Sequence, residues 1–192
     1  KWVLAPVYKA WDEKTFKKYL KDFQLPPKKK IKELSKGMKM KFSLAIALSH
    51  NADLFIMDEP TSGLDPLVRS ELLDILSEVI QDENKAVFFS THITSDLDKI
   101  ADYITMINQG EIILSMPKDD ILNNYGLVKG GKELLDRDIR KSFVAIKENQ
   151  FGFEGLAKDR KQAKKMFGDK VVIEKPTLED VMLYYVRGNQ NV

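Results

Sequence analysis

Three features of the sequence predict an α/β fold. Apolar runs rich in β-formers at Leu54–Met57, Ala86–Ser90 and Tyr103–Asn108 alternate with helical stripes, the order expected of a parallel sheet with flanking helices. The lysine-rich residues 1–50 ahead of that alternation read as a helical subdomain. From about residue 127 the texture changes again, so we expect a sheet-based core at 51–125 and a small C-terminal α/β unit at 126–192.

The elements follow in order. Phe16, Tyr19, Leu20 and Phe23 recur three and four apart with lysines between them, giving one apolar face to a helix over 12–23 that Pro26-Pro27 ends. Phe42–Ser49 is apolar almost all round and predicts a helix buried on most faces, its start marked by Ser35 and Gly37. Val68, Leu72, Ile75, Leu76, Val79 and Ile80 stripe a helix over Asp65–Asp82, and a shorter one is expected at about Ile93–Ala101. Asn108-Gln109-Gly110 reads as a hairpin turn into Glu111–Ser115, an antiparallel addition at the side of the sheet. Gly126–Lys132 reads as a glycine-rich linker. Beyond it, Ser142–Lys147 and Val171–Glu174 are expected as strands, and Leu156–Phe167 and Leu178–Val186 as helices.

The totals narrow the class. In 192 residues, 43% are hydrophobic and 31% charged, which fits a folded globular chain and excludes a disordered one. Lys+Arg 31 against Asp+Glu 29 leaves +2, no whole-molecule case for nucleic acid, but the charge is segregated: residues 1–50 carry 13 basic and 4 acidic side chains, residues 51–100 carry 3 and 11. With no cysteine there is neither a disulfide framework nor a thiolate metal site, as suits a reducing compartment. The uncharged stretch Phe42–Ala52 is well short of the ~20 residues that span a bilayer. The opening KWVLAPVYKAW lacks the apolar core and cleavage site of a signal peptide and reads as a chain entered in mid-course. Seven lysines at 28–30, 32, 36, 39 and 41 form a basic run, yet no aromatic residue before Phe42 interleaves with them for base stacking, so they read as a solvated face and no nucleic-acid partner is expected.

Three stretches are candidates for chemistry. In LFIMDEP, Asp58 and Glu59 end an apolar strand, the place where open α/β sheets bind ligands. Adjacent acids there can divide labour, one holding Mg²⁺ and its neighbour orienting or deprotonating the water that attacks a phosphoryl group. Standing alone, the pattern fits equally a strand that ends in solvated acids. ELSKGMKMK sets Ser35 and Gly37 before a helix, whose free N–H groups and dipole favour an anion, although plain capping explains Ser-x-Gly as well. His92 follows the second strand on the same edge as Asp58, as a phosphate donor or as a structural histidine. His50, at the end of the buried helix, reads as packing or capping.

Taken in order, LSKGM, LFIMDEP, TSGLDP and the strand ending in His92 resemble the ATP-binding cassette (ABC) family of transport ATPases, most clearly over residues 11–117. The helical stretch with its variant signature resembles that of bacterial exporter-type cassettes, and Pro176–Gly188 resembles the close of such subunits. The resemblance implies a partial P-loop NTPase-like core, with 51–125 as its C-terminal part. It also implies Leu34–Met38 as the signature, Leu54–Asp58 as the Walker B strand, Ser62–Asp65 as the D-loop, and ATP with Mg²⁺ as cofactors. Asp58 is implied to hold the metal through water, and Glu59 and His92 to be catalytic. Ser35, Lys36, Gly37 and Met38 are implied to face the opposite subunit's ATP, and Asp65 to communicate across the dimer. The implied partners are a second ABC ATPase subunit, paired head to tail, and transmembrane permease subunits, so the chain is expected in the cytoplasm as a peripheral component on the inner face of the cell membrane.

The sequence departs from the family pattern in two respects. Lys36 replaces a glycine and Met38 a glutamine in the signature, and no Walker A loop, G-x-x-x-x-G-K-[ST], precedes it. Gly126 to Lys132 has the spacing of that loop, but Glu133 stands at the Ser/Thr position and the string follows the histidine. The expectation is that the Walker A part of the family is missing here, so that the full protein hydrolyses ATP and these residues alone do not do so efficiently. Two other classes stay open: a soluble cassette ATPase acting on nucleic acid or ribosomes, and a non-enzymatic interaction module.

Overall fold

The computed structural model describes Tyr8 and residues 10–188; most of the opening stretch read as entered in mid-course lies outside the described residues. The chain forms two compact units, Lys1–Asp96 and Leu97–Val192.

The first unit opens with α1 (Glu13–Asp22), started by Asp12, whose Oδ1 accepts from the N–H groups of Lys14 and Thr15 at 2.8 and 3.1 Å. Phe16 is buried on its inner face, tilted against Trp11 and edge-on to Phe42. A 3-10 turn at Ile31–Glu33 leads to α2 (Lys36–Leu48), in which Leu44 and Ala45 are buried. The His50 ring stacks on Tyr8 at 4.1 Å, the packing role expected of it. Then come β1 (Leu54–Asp58), α3 (Pro66–Val79), which buries Leu72, Leu73, Leu76 and Val79, and β2 (Ala86–Ser90). The short α4 (Thr94–Ile100) follows.

β1 and β2 run parallel, in register from Leu54↔Ala86 to Asp58↔Ser90. Strand alternation sends Phe55 inward, while Leu54, Ile56 and Phe88 are 53, 72 and 65% exposed. The apolar sequence of β1 supplies side chains to two faces, and only the Phe55 face is buried among the described residues. A correction concerns β3 (Tyr103–Asn108), which does not join the parallel pair. It pairs antiparallel with β4 (Glu111–Pro117) through a turn where Gln109 and Gly110 have φ of 51° and 82°. The expected hairpin is present, and the left-handed pair of turn residues is what brings its two strands together.

The second unit continues with α5 (Lys118–Asn124), β5 (Gly126–Gly130), α6 (Arg137–Arg140), β6 (Phe143–Asn149), β7 (Gly152–Ala157), α7 (Arg160–Phe167), β8 (Val172–Glu174) and α8 (Leu178–Gly188). Its antiparallel sheet has the order β6-β7-β5-β8, so β5 to β8 with α6 and α7 make a split βαβ arrangement. The string read as a linker is therefore a central strand. Leu127 and Val128 alternate across the sheet, and each completes a different core. Val128 packs with Phe143, Phe153 and α7's Ala163 and Phe167, whereas Leu127 packs with Leu156 and α8's Leu178, Val181 and Tyr184. The helix expected over 156–167 starts later, at Arg160, because Asp159 caps it and Gly152–Ala157 is a strand buried along most of its length. Burial, followed by a 2.8 Å hydrogen bond to Glu154, raises the Tyr184 phenol above its ordinary pKa. Among the described residues no helix is long and apolar enough to cross a membrane.

Gly152 has φ +152°, and a Cβ there would lie 2.3 Å from the Gly130 carbonyl oxygen. We predict that Gly152→Ala lowers stability by about 3 kcal/mol in urea unfolding. Gly168→Ala, at φ +58° with open space around it, should lose only about 1 kcal/mol.

Candidate functional site

The parallel register ends with Asp58 beside Ser90, and Ser90 Oγ donates to Asp58 Oδ1 at 2.5 Å. The Glu59 N–H in turn donates to Ser90 Oγ at 3.0 Å and to the Ser90 carbonyl at 3.2 Å, fastening the exit of β1 to that of β2. Glu59 is in the left-handed region at φ +48°, uncommon for a residue with a side chain. His92 Nδ1 lies 2.8 Å from Glu59 Oε1, while Glu59 Oε2 is buried and has no hydrogen-bond partner among the described residues. One oxygen of this carboxylate is held and the other is free. A buried acceptor without a donor costs roughly 1–3 kcal/mol, which makes it a ready recipient for a donor that arrives.

The turn after Glu59 is held from below. Thr61 is buried and its Oγ1 donates to Asp96 Oδ2 at 2.5 Å. Arg69, on α3, donates through Nε to Asp96 Oδ1 at 2.6 Å and through Nη2 to Ser95 Oγ at 2.6 Å, with Nη2 also ion-paired to Asp96 Oδ1 at 2.6 Å. Asp96 itself has no exposed surface. It therefore joins the turn carrying Glu59, the helix after that turn, and the loop that brings His92. Sequence reasoning missed Thr61, Arg69 and Asp96. The one available signal was Arg69, one of three basic residues in 51–100, and nothing local shows that its partner stands 27 positions further on.

The signature positions meet the same turn. Ser35 caps α2, its Oγ accepting from the Met38 N–H at 3.2 Å. Gly37 is buried, and a Cβ on it would come within 2.7 Å of Val68 Cγ1, so its lack of a side chain lets α2 approach α3. The Lys36 Nζ lies against Gly63, 2.8 Å from where a Cβ would stand. Asp65 caps α3 by accepting from the Val68 N–H at 3.1 Å. A groove of about 230 Å³ is lined by Lys36, Lys39, Met40, Ser43, Glu59, Pro60 and Leu64. The structure thus gathers Asp58, Glu59 and His92 at one strand edge, with Lys36 and Glu59 on a shared groove. No group of three or more His, Cys, Asp or Glu residues able to hold a metal occurs among the described residues. Asp58, with one oxygen engaged by Ser90, fits a cation such as Mg²⁺ that takes most of its ligands from water and phosphate.

Asp58 and Glu59 stand at the carboxyl end of the parallel pair, the place where open α/β sheets bind ligands. A family model described as "AAA domain, putative AbiEii toxin, Type IV TA system" matches residues 9–97. A lantibiotic transport ATP-binding protein, SrtF, of Streptococcus pyogenes is 40% identical over 92 residues, covering 48% of this chain and 40% of that protein. The bacitracin transport ATP-binding protein BcrA of Bacillus licheniformis is 34% identical over 94 residues, 49% of this chain and 31% of that one. An uncharacterized ABC transporter ATP-binding protein of Nostoc is 35% identical over 118 residues, 62% and 35% of the two chains. A solved metal-chelate type ABC transporter in an inward-facing conformation shares the fold at TM-score 0.51 and 20% identity, over 78% of this chain and 58% of its own. Over the matched stretch the chain is similar to ABC transporter ATP-binding proteins. It spans about a third of the length of the curated relatives it matches.

The Asp96 network predicts a large stability effect away from the strand-end acids. Asp96→Ala, which leaves the Arg69 guanidinium and the Thr61 hydroxyl without their acceptor, should lose about 3 kcal/mol in urea unfolding. Adding Arg69→Leu to that variant should restore part of the loss.

Proposed function

We propose that this chain is part of an ATP-binding and ATP-hydrolysing subunit of an ABC transporter, which couples hydrolysis to transport through a separate membrane permease. The observation that carries the reading is Glu59, a carboxylate with one oxygen bound to His92 and the other buried and free, one residue beyond Asp58. The free oxygen is the acceptor for a water proton, and the His92 contact limits how the carboxylate can rotate. If His92 Nδ1 donates to Glu59, a second donation from Nε2 toward a phosphate oxygen requires the imidazolium form. Mg²⁺, when bound, offsets charge on the transferred phosphoryl group, and Asp58 is the residue that holds it, through water.

The signature supplies the other half of a composite site in a second subunit, paired head to tail. The Ser35 oxygen accepts from its own helix, so its hydroxyl proton is available to a phosphate, together with the first N–H groups of α2. Lys36 adds positive charge, Gly37 and Met38 complete that edge, and Asp65 relates the two sites through the turn it caps. The subunit belongs in the cytoplasm, peripheral on the inner face of the membrane beside its permease. The likeness of the chain to transport ATP-binding proteins supports this placement. No G-x-x-x-x-G-K-[ST] string occurs in these 192 residues, so we propose that they bind nucleotide weakly by themselves.

Two measurements test the reading. In the whole protein, Glu59→Gln should lower ATP turnover about 10²–10⁴-fold and leave ATP binding intact; retention of most of the activity removes Glu59 from catalysis. Calorimetric titration of residues 1–192 with Mg-ATP should show binding far weaker than micromolar, and stoichiometric micromolar binding would overturn the proposal that a phosphate loop is wanting.

A further inference from the structure

The structure sorts the seven lysines between Lys28 and Lys41 into two groups. Lys41 is ion-paired with Glu71, Lys36 lies against Gly63, and Lys39 lines the groove with Glu59. Lys28, Lys29, Lys30 and Lys32 are exposed and have no ion-pair partner among the described residues. They share one turn with Ile31, which is 59% exposed. The one acid of the turn, Glu33, is folded back so that its Oε2 accepts from the Lys30 N–H at 3.3 Å. The turn is also held in place, because Phe23 and Leu25 before it and Leu34 after it are buried and Pro26-Pro27 stiffens its start.

We infer that residues 28–32 are a lipid-contact site that docks on an anionic bilayer surface. Four unpaired ammonium groups around an exposed isoleucine are the combination that such a surface binds: the charges meet the headgroups and the apolar side chain enters the acyl boundary. Lysines are hydrated point charges without the planar fork that selects a single phosphate or carboxylate, so they suit a diffuse field of anions. No aromatic side chain lies among them to stack a nucleobase. The inference goes beyond the ATPase reading and uses none of its residues, so lipid binding and nucleotide hydrolysis can fail separately.

The test is co-sedimentation of this chain with vesicles of phosphatidylcholine alone or with about a third phosphatidylglycerol. We expect binding to the anionic vesicles, weakening as salt rises, and none to the neutral ones. Replacing Lys28, Lys29, Lys30 and Lys32 by Gln should lower the partition coefficient about a hundredfold. Ile31→Ser should lower it severalfold with the salt dependence kept. The same number of charges removed at Lys147, Lys161, Lys165 and Lys170, all exposed in the second unit, should leave it within about twofold. Circular dichroism confirms that each variant is folded. Equal binding by the 28–32 variant, or equal binding to neutral vesicles, overturns the inference. Binding to polyglutamate or to a single-stranded oligonucleotide without binding to vesicles also overturns it, assigning the turn to an acidic protein or to nucleic acid.

Discussion

Asp96 is a carboxylate with no exposed surface, held by a hydroxyl from the turn after β1 and by a guanidinium from α3. That arrangement constrains the rest of the first unit. Glu59 occupies a backbone conformation that a residue with a side chain seldom adopts, and such a residue persists only where its surroundings over-determine it. The hydrogen bonds from its own N–H to Ser90 on one side, and from Thr61 to Asp96 on the other, supply that determination. Because Asp96 follows His92 by four residues, the same network also sets the loop from which the imidazole reaches Glu59.

The packing of α2 on α3 shows one residue type serving structure and chemistry together. Gly37 occupies a signature position, yet its immediate neighbour is Val68, and the approach of the two helices leaves no room for a side chain. Ser35 similarly spends its lone pair on capping while keeping its proton. Both residues are constrained by the helix they start. The parallel pair is a contrasting case. Leu54, Ile56 and Phe88 form an exposed apolar row on strands of a type that usually has both faces covered.

Local chemistry was readable from the sequence wherever a residue acts on its near neighbours. Asp12, Ser35 and Asp65 each start a helix by accepting N–H groups two or three residues on, and Gln109-Gly110 closes a hairpin. The placement of Asp58 and Glu59 at a strand end, with His92 at the end of the next strand, was likewise legible, because parallel register aligns equivalent ends. The linker reading of Gly126–Lys132 failed for a physical reason. Its glycines satisfy close backbone approach within a sheet as readily as they satisfy a flexible connection, and the local string does not distinguish the two.

The sequence by itself determined the caps at Ser35 and Asp65, the hairpin, the apolar stripes and the order of the motifs, since each depends on contacts within a few residues of chain. The tertiary structure alone decided which strands pair, that β5 sits between β7 and β8, that Asp96 is the acceptor for Thr61 and Arg69, and which four of seven lysines are left unpaired. Those outcomes depend on desolvation and on partners far apart in the chain, 26 to 35 positions for the Asp96 network and more than 40 for β5 with β8, and neither quantity is carried by a residue's immediate neighbours.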